Sequence, residues 1–84
     1  MDIDYIKNGI ITYLHGHCLD SVSLKKLNDN DSFFETGIID SVGVLELVAF
    51  VEEFFRITVN DDEVTLENLD SINRLTSFIQ SKFE

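Results

Sequence analysis

The sequence has 84 residues, 44% of them hydrophobic, no proline or tryptophan, one cysteine and a net charge of −10 at neutral pH. This length and composition predict one domain over residues 1–84, built from helices joined by ordinary loops. The single cysteine excludes a disulfide framework. The absence of a secretion signal and of any apolar run long enough to cross a bilayer predicts a soluble, cytoplasmic protein.

A helical pattern opens the chain. Apolar residues recur at spacings of three and four, at Ile3, Ile6, Ile10 and Leu14. This spacing predicts a first helix with one face directed at the core. Gly16 is predicted to mark its end, with His15 in the last turn.

His15, His17 and Cys18 form the one cluster with metal-ligand chemistry in the sequence. No second pair of ligands follows at the usual spacing, so we predict no metal site. The same histidines are the conventional bases available to a serine nucleophile, and neither lies in a nucleophile motif. The sequence therefore predicts a protein that is not itself an enzyme.

A long connection follows, from Leu19 to Thr36. Residues 28–32 have the polar composition of a turn or loop. Connections of this length usually contain short elements of their own, so a helical turn is predicted at Ser23–Leu27. Phe33 and Phe34 are predicted to anchor the loop to the core.

The second helix is predicted at Ser41–Phe55. Asp40 or Ser41 can cap its first turn, because either side chain can accept a hydrogen bond from an unpaired backbone N–H group. One broad face is predicted to be apolar, with Leu47, Val48, Val51, Phe54 and Phe55. The opposite face is predicted to be acidic, with Glu46, Glu52 and Glu53.

Two further helices are predicted after the second. Asn60 and Glu63 have the spacing of a capping box, which indicates a short third helix that ends near Asn68. Asp70 and Ser71 are predicted to cap a fourth helix. Its apolar stripe is Ile72, Leu75, Phe78 and Ile79, and its polar face ends at Lys82.

The negative charge is concentrated in one part of the chain. Eleven of the sixteen acidic residues but only one of the six basic residues, Arg56, lie between Asp31 and Asp70. The remaining five acids and five bases balance, so the whole net charge belongs to the segment that contains Ser41. Such a field repels nucleic acid and anionic lipid and attracts partners with basic patches.

The stretch from Asp31 to Phe55, DSFFETGIIDSVGVLELVAFVEEFF, resembles the core of an acyl carrier protein, a family with an Asp-Ser-Leu motif at the start of its second helix. The resemblance extends over nearly the whole chain. It implies a small all-α four-helix bundle with a long loop between helices 1 and 2 and a short helix 3. It also implies that Ser41, next to Asp40, carries 4'-phosphopantetheine, whose thiol holds acyl groups as thioesters.

The resemblance further implies a set of partners for a stand-alone, monomeric carrier. These are a phosphopantetheinyl transferase and acyl-activating, acyl-transfer or condensing enzymes with basic docking patches, rather than nucleic acid or membrane. The residues expected to contact such enzymes are Val42, Glu46, Ala49, Glu52, Glu53, Asp61 and Asp62, together with Asp40. Val42 in place of leucine, and Gly43 in the first helical turn, depart from the family pattern.

Two other interpretations stay open. Asp-Ser occurs four times in the chain, and most such pairs are caps or turns. Ser41 could therefore be a simple cap in an unmodified acidic interaction module. The protein could also be an aminoacyl or peptidyl carrier, although the lead Ile38-Ile39-Asp40-Ser41 favours acyl cargo. The sequence does not distinguish fatty acid, polyketide and specialised pathways.

Overall fold

The computed structural model describes residues 2–17 and 27–83. Within these ranges the chain forms helices and no strand. In order they are α1 (Ile3–His17), α2 (Phe33–Thr36), α3 (Ser41–Phe55), a 3₁₀ turn (Asp61–Glu63), α4 (Leu66–Leu69) and α5 (Ile72–Lys82). The predicted all-α helical bundle is confirmed. The helical turn predicted at Ser23–Leu27 lies, except for Leu27, outside the described residues.

Helices α1 and α5 pack against each other and supply much of the core. Ile6 and Ile10 of α1 and Leu75 and Ile79 of α5 are completely buried, as their spacing predicts. Helix α1 continues through Gly16 to His17, so the predicted stop at Gly16 is wrong. A glycine costs a helix about 1 kcal/mol relative to alanine, which does not end it.

Helix α3 buries Leu47, Val51 and Phe55, which recur every four residues. Phe54, predicted on or near the same broad face, lies at its edge, with 47% of its surface exposed. One residue of helix turns the side chain by about 100°. Phe54 therefore leaves the core direction of Phe55 and lies against α1, where its ring stacks on Tyr5. No helix of the described chain is both long and apolar enough to cross a membrane.

The predicted short third helix is divided into two pieces. The capping box at Asn60 and Glu63 is present and begins the 3₁₀ turn, with the Glu63 carboxylate accepting a hydrogen bond from the Asn60 N–H at 2.9 Å. A second cap follows at Thr65, whose hydroxyl oxygen accepts from the Asn68 N–H and begins α4. Two adjacent caps explain why one continuous helix does not form.

Asp70 and Ser71 have separate tasks. The Ser71 hydroxyl caps α5 by accepting from the Arg74 N–H at 3.0 Å. The Asp70 carboxylate is buried and points to the segment before α3. It accepts hydrogen bonds from the Ser32 hydroxyl at 2.5 Å and from the Phe34 N–H at 3.1 Å. The prediction that Asp70 caps α5 is therefore wrong, and Asp70 anchors α2 instead.

The same segment has further connections to the bundle. The Asn73 N–H donates to the Asp29 carbonyl oxygen at 2.9 Å, and the Asn73 side-chain amide donates to Asn30 at 2.7 Å. Lys7 of α1 forms an ion pair with the Asp29 carboxylate at 3.2 Å. Residues 29–34 are thus held to both α1 and α5.

We predict that Asp70→Asn lowers the free energy of unfolding by about 1–3 kcal/mol, because the amide NH₂ must face either the Phe34 N–H, which is a donor, or the Ser32 hydroxyl, whose proton then loses its acceptor. Urea unfolding followed by circular dichroism measures this loss, and the Phe34 amide should also exchange faster with solvent. Asp62→Asn, an exposed acid in the 3₁₀ turn, is the matched control and should change stability by less than about 0.5 kcal/mol. Equal stability of the two variants would show that the Asp70 carboxylate does not anchor α2.

A second prediction concerns the stability of the protein at low pH. A hydrogen bond from Lys82, and then one from the Asn60 N–H, hold the pKa of Glu63 below its ordinary value of 4.5. A carboxylate with a lowered pKa stabilises the fold above its ordinary pKa and loses that contribution as pH falls through the folded pKa. Wild type should therefore exceed Glu63→Gln in stability at pH 7, and the gap should shrink below pH 4.5.

Melting temperatures of both proteins between neutral pH and about pH 3 measure that gap. Glu67→Gln, which removes an exposed carboxylate from α4, controls for the general loss of one negative charge. A gap that stays constant through the acid range would contradict the assignment of Glu63.

Candidate functional site

Ser41 is the first residue of α3, and its side chain is exposed. The sequence left open whether Asp40 or Ser41 caps this helix. Asp40 is the cap, because its Oδ1 accepts from the Gly43 N–H at 2.7 Å. No described residue forms a hydrogen bond with the Ser41 hydroxyl. The cap therefore leaves that hydroxyl available to an external reactant.

Gly43, which departs from the expected family pattern, fits this cap closely. A Cβ atom at this position would lie 3.2 Å from the Ile39 Cγ2 and 3.3 Å from the Asp40 Oδ1. Both separations are tighter than ordinary van der Waals contact. The absence of a side chain thus lets the Asp40 carboxylate and Ile39 pack against the first turn of α3, next to Ser41.

The lead into Ser41 is fixed at both ends of α2. Ser32 caps α2, and Gly37 ends it with a φ of 77°, the left-handed conformation that glycine adopts readily. The Ile39 N–H then donates to the Phe33 carbonyl at 3.2 Å. Phe33 and Ile39 are both buried. The prediction that Phe33 anchors the loop is correct, whereas Phe34 is 38% exposed.

A cavity of about 270 Å³ opens beside Ser41, between α3 and α4. Its walls are mostly apolar. Besides Ser41 they comprise Phe34, Val44, Leu45, Val64, Thr65, Leu66 and Leu69. Leu45 and Leu66 are 67% and 55% exposed at its rim. An apolar group attached near Ser41 has here a surface on which to leave water.

Sequence reasoning missed Leu45, Leu66 and Phe34 as site residues. Leu45 could have been found, because it lies four residues after Ser41 and a helix places such residues on one face. Leu66 and Phe34 belong to other elements and carry no local signal. Only the folded chain brings them to Ser41.

The acids predicted to contact partners differ in their surroundings. Glu46 and Glu53 are exposed on α3, as are Val42 and Ala49, and Asp61 and Asp62 are exposed on the 3₁₀ turn. Glu52 is half-buried, and its carboxylate accepts from the Val59 N–H at 3.0 Å. Glu52 therefore has an internal role in holding the chain after α3.

The structure describes only part of the cluster of His15, His17 and Cys18. Among the side chains that it does describe, no group of three or more His, Cys, Asp and Glu is arranged to hold an ion. The side chain of His17 and the whole of Cys18 lie outside the described part, so the prediction of no metal site stays a prediction.

The chemistry that Ser41 can perform follows from its surroundings. A serine hydroxyl needs a base to become a nucleophile, and no described side chain is hydrogen-bonded to it. Ser41 is thus suited to be modified by another protein that supplies the base.

Comparison with known proteins agrees with this geometry. The family model described as "Phosphopantetheine attachment site" matches residues 19–79. The chain is 31% identical over 72 residues to a D-alanyl carrier protein of Streptococcus suis (strain 05ZYH33), covering 86% of this chain and 87% of the relative. It is 27% identical over 73 residues to a D-alanyl carrier protein of Abiotrophia defectiva, covering 87% and 90%.

An acyl carrier protein of Buchnera aphidicola subsp. Schizaphis graminum (strain Sg) is 27% identical over 62 residues, covering 74% of this chain and 76% of the relative. The relatives thus include carriers named for two kinds of cargo. The family match covers most of the chain, including α2, α3 and α4 in full. The protein belongs to the phosphopantetheine attachment family of carrier proteins, whose members carry covalently attached 4'-phosphopantetheine.

Proposed function

We propose that Ser41 carries the phosphopantetheine arm and that the protein delivers acyl groups, bound as thioesters to the thiol of that arm, to partner enzymes. The observation that carries this proposal is the position of Ser41. Its exposed hydroxyl begins α3, is left unengaged by the Asp40 cap and lies beside the apolar cavity. The other Asp-Ser pairs in the described chain have structural tasks, since the hydroxyls of Ser32 and Ser71 cap α2 and α5.

Loading of Ser41 requires a separate transferase and coenzyme A. The Ser41 Oγ forms a bond to the phosphorus next to the pantetheine, and the pyrophosphate bond to the nucleotide breaks. The serine proton passes to a base of the transferase, and adenosine 3',5'-bisphosphate leaves. The protein itself supplies an accessible hydroxyl on a fixed helix end and no catalytic group.

The cavity favours acyl over aminoacyl cargo. Burying an ammonium group without a partner is costly, and the described walls of the cavity offer only the hydroxyls of Ser41 and Thr65 as polar side chains. An alkyl chain gains about 0.8 kcal/mol for each CH₂ group removed from water. The D-alanyl carriers among the relatives keep an aminoacyl carrier as the second candidate.

Docking is proposed to use the exposed acids of α3, with Asp61 and Asp62 nearby in sequence on the 3₁₀ turn. Acids on an exposed surface attract a basic patch and speed encounter without making the complex tight. A carrier has to leave one enzyme before it meets the next, so weak docking suits the function. The proposed partners are a phosphopantetheinyl transferase and acyl-activating, acyl-transfer or condensing enzymes.

We predict that wild type gains the mass of one phosphopantetheine on incubation with coenzyme A, Mg²⁺ and a broad-specificity phosphopantetheinyl transferase, and that Ser41→Ala gains none. Intact-protein mass spectrometry measures both. Ser71→Ala is the matched control from another Asp-Ser pair. It loses a helix cap worth about 0.5–2 kcal/mol but should still be loaded. Failure of folded wild type to load with several transferases would favour an unmodified acidic interaction module.

A second prediction separates acyl from aminoacyl cargo. Loading with octanoyl, acetyl or alanyl phosphopantetheine places different groups next to the cavity at Ser41. Octanoyl should raise the melting temperature above that of the acetyl form, because its methylenes leave water, whereas alanyl should not. Leu66→Ser, at the cavity rim, should reduce the octanoyl effect. An alanyl form as stabilised as the octanoyl form would support the aminoacyl carrier instead.

A further inference from the structure

The exposed surface of α3 has a central stripe and two different flanks. The stripe consists of Val42, Glu46, Ala49 and Glu53, which recur at spacings of four, three and four and are all exposed. On one flank lie Ser41 and Leu45 with the cavity described above. On the other flank Phe50 and Phe54 face α1. The second flank is not needed for attachment of the arm.

This second flank is an aromatic groove, defined by Tyr5, Gly9 and Tyr13 of α1 and Phe50 and Phe54 of α3, with a volume of about 460 Å³. Three ring pairs stack in sequence across it. Their centroids are 4.4 Å apart for Tyr13 and Phe50, 5.2 Å for Phe50 and Phe54, and 6.1 Å for Phe54 and Tyr5. Tyr5 is 52% exposed and Phe54 47% exposed.

Gly9 makes the groove possible. A Cβ atom there would lie 3.1 Å from ring atoms of both Phe54 and Phe55. The Phe54 and Phe55 rings thus lie directly against the α1 backbone, and of the two only Phe54 keeps an exposed face. Large apolar side chains left exposed together in this way indicate an interaction surface.

The charged side chains of α3 are all acidic. Glu46 and Glu53 of the central stripe are neighbours, along the helix, of Phe50 and Phe54, and they are about 10 Å apart along the axis of α3. Asn8 and Thr12 of α1 line the opposite side. Lys7, a basic residue of α1, forms an ion pair with the Asp29 carboxylate. A partner that fills the groove meets aromatic faces beside carboxylates.

We propose that the aromatic groove is a docking site for a partner protein that presents two basic side chains about 10 Å apart with an apolar side chain between them. The basic groups pair with Glu46 and Glu53, and the apolar group packs on the exposed surfaces of the stacked Tyr5 and Phe54 rings. This inference rests on the proposed carrier function, because it extends the docking surface of α3 away from Ser41.

Charge complementarity selects this occupant. A cation near the face of an aromatic ring is attracted by the negative face, and arginine is the commonest such partner in proteins. Anionic lipid, nucleic acid and acidic proteins are repelled by the glutamates. A second copy of the chain, with a net charge of −10, brings no matching basic pair from the described residues of this face.

The test uses the 84-residue protein labelled with ¹⁵N and a helical peptide of about 15 residues, with arginines seven residues apart and a leucine midway. Addition of the peptide should change the amide chemical shifts of Tyr5, Gly9, Phe50 and Phe54. The dissociation constant should rise at least about fivefold for Phe54→Ser and for Tyr5→Ser. A peptide with serine in place of the leucine should bind as weakly as the variants do.

Leu66→Ser is the matched control, because it removes an exposed apolar side chain from the opposite flank. It should leave peptide affinity within about twofold. The inference is overturned if Leu66→Ser and Phe54→Ser weaken binding equally, or if the shifts cluster on Val42, Leu45 and Leu66. It is also overturned if the free protein shows contacts from residues 18–26 to the Phe54 ring, or if dilution alone reproduces the shifts.

The outcome is independent of arm attachment. Mass measurement of loading on the Tyr5→Ser and Phe54→Ser proteins should show full modification of Ser41, because neither side chain lies on the Ser41 flank. If wild type binds the peptide but is never loaded with phosphopantetheine, the carrier proposal is contradicted and docking in the aromatic groove is still supported. If wild type is loaded but the peptide changes no chemical shifts, docking in the groove is contradicted and the carrier proposal is still supported.

Discussion

The buried carboxylate of Asp70 connects the start of α5 to the segment that leads to Ser41. The carboxylate accepts hydrogen bonds from the Ser32 hydroxyl and the Phe34 N–H. The backbone carbonyl of Asp70 accepts a third from the Phe33 N–H at 2.8 Å. These hydrogen bonds hold the first residues of α2, and the left-handed conformation of Gly37 ends the helix. Because the chain from Ser32 to Ser41 is short, fixing α2 also fixes where α3 begins. The position of Ser41 thus depends on a side chain 29 positions further along the sequence.

Much of the fold is local and could be predicted from the sequence. The spacing of apolar residues predicted α1, α3 and α5, and the capping box at Asn60 and Glu63 predicted where the next helical segment begins, although not that this segment is divided into a 3₁₀ turn and α4. Ser41 could be singled out among four Asp-Ser pairs because Gly37 precedes it and a long amphipathic helix follows. Each of these signals lies within a few residues, where geometry follows directly from sequence.

What could not be predicted depends on contacts between distant residues. Asp70 and Ser32 are 38 positions apart, and an Asp-Ser pair before a helix looks like an ordinary cap. Phe54 and Phe55 differ by one residue, and periodicity over a broad apolar face cannot separate a core residue from one that lies beside α1. Leu66 joins Leu45 at the cavity only because two caps break the third helix and turn α4 towards α3.

The geometry of α3 keeps the two proposed contacts apart. The proposed cargo next to Ser41 and the proposed partner in the aromatic groove would use opposite flanks, so neither would have to displace the other. The glutamates between them act over a Debye length of about 8–10 Å at moderate salt, and a field of this range attracts any protein that has a basic patch. Charge alone therefore discriminates poorly among partners. Discrimination has to come from what an enzyme places beside the stripe, because apolar and aromatic contacts determine how long it stays.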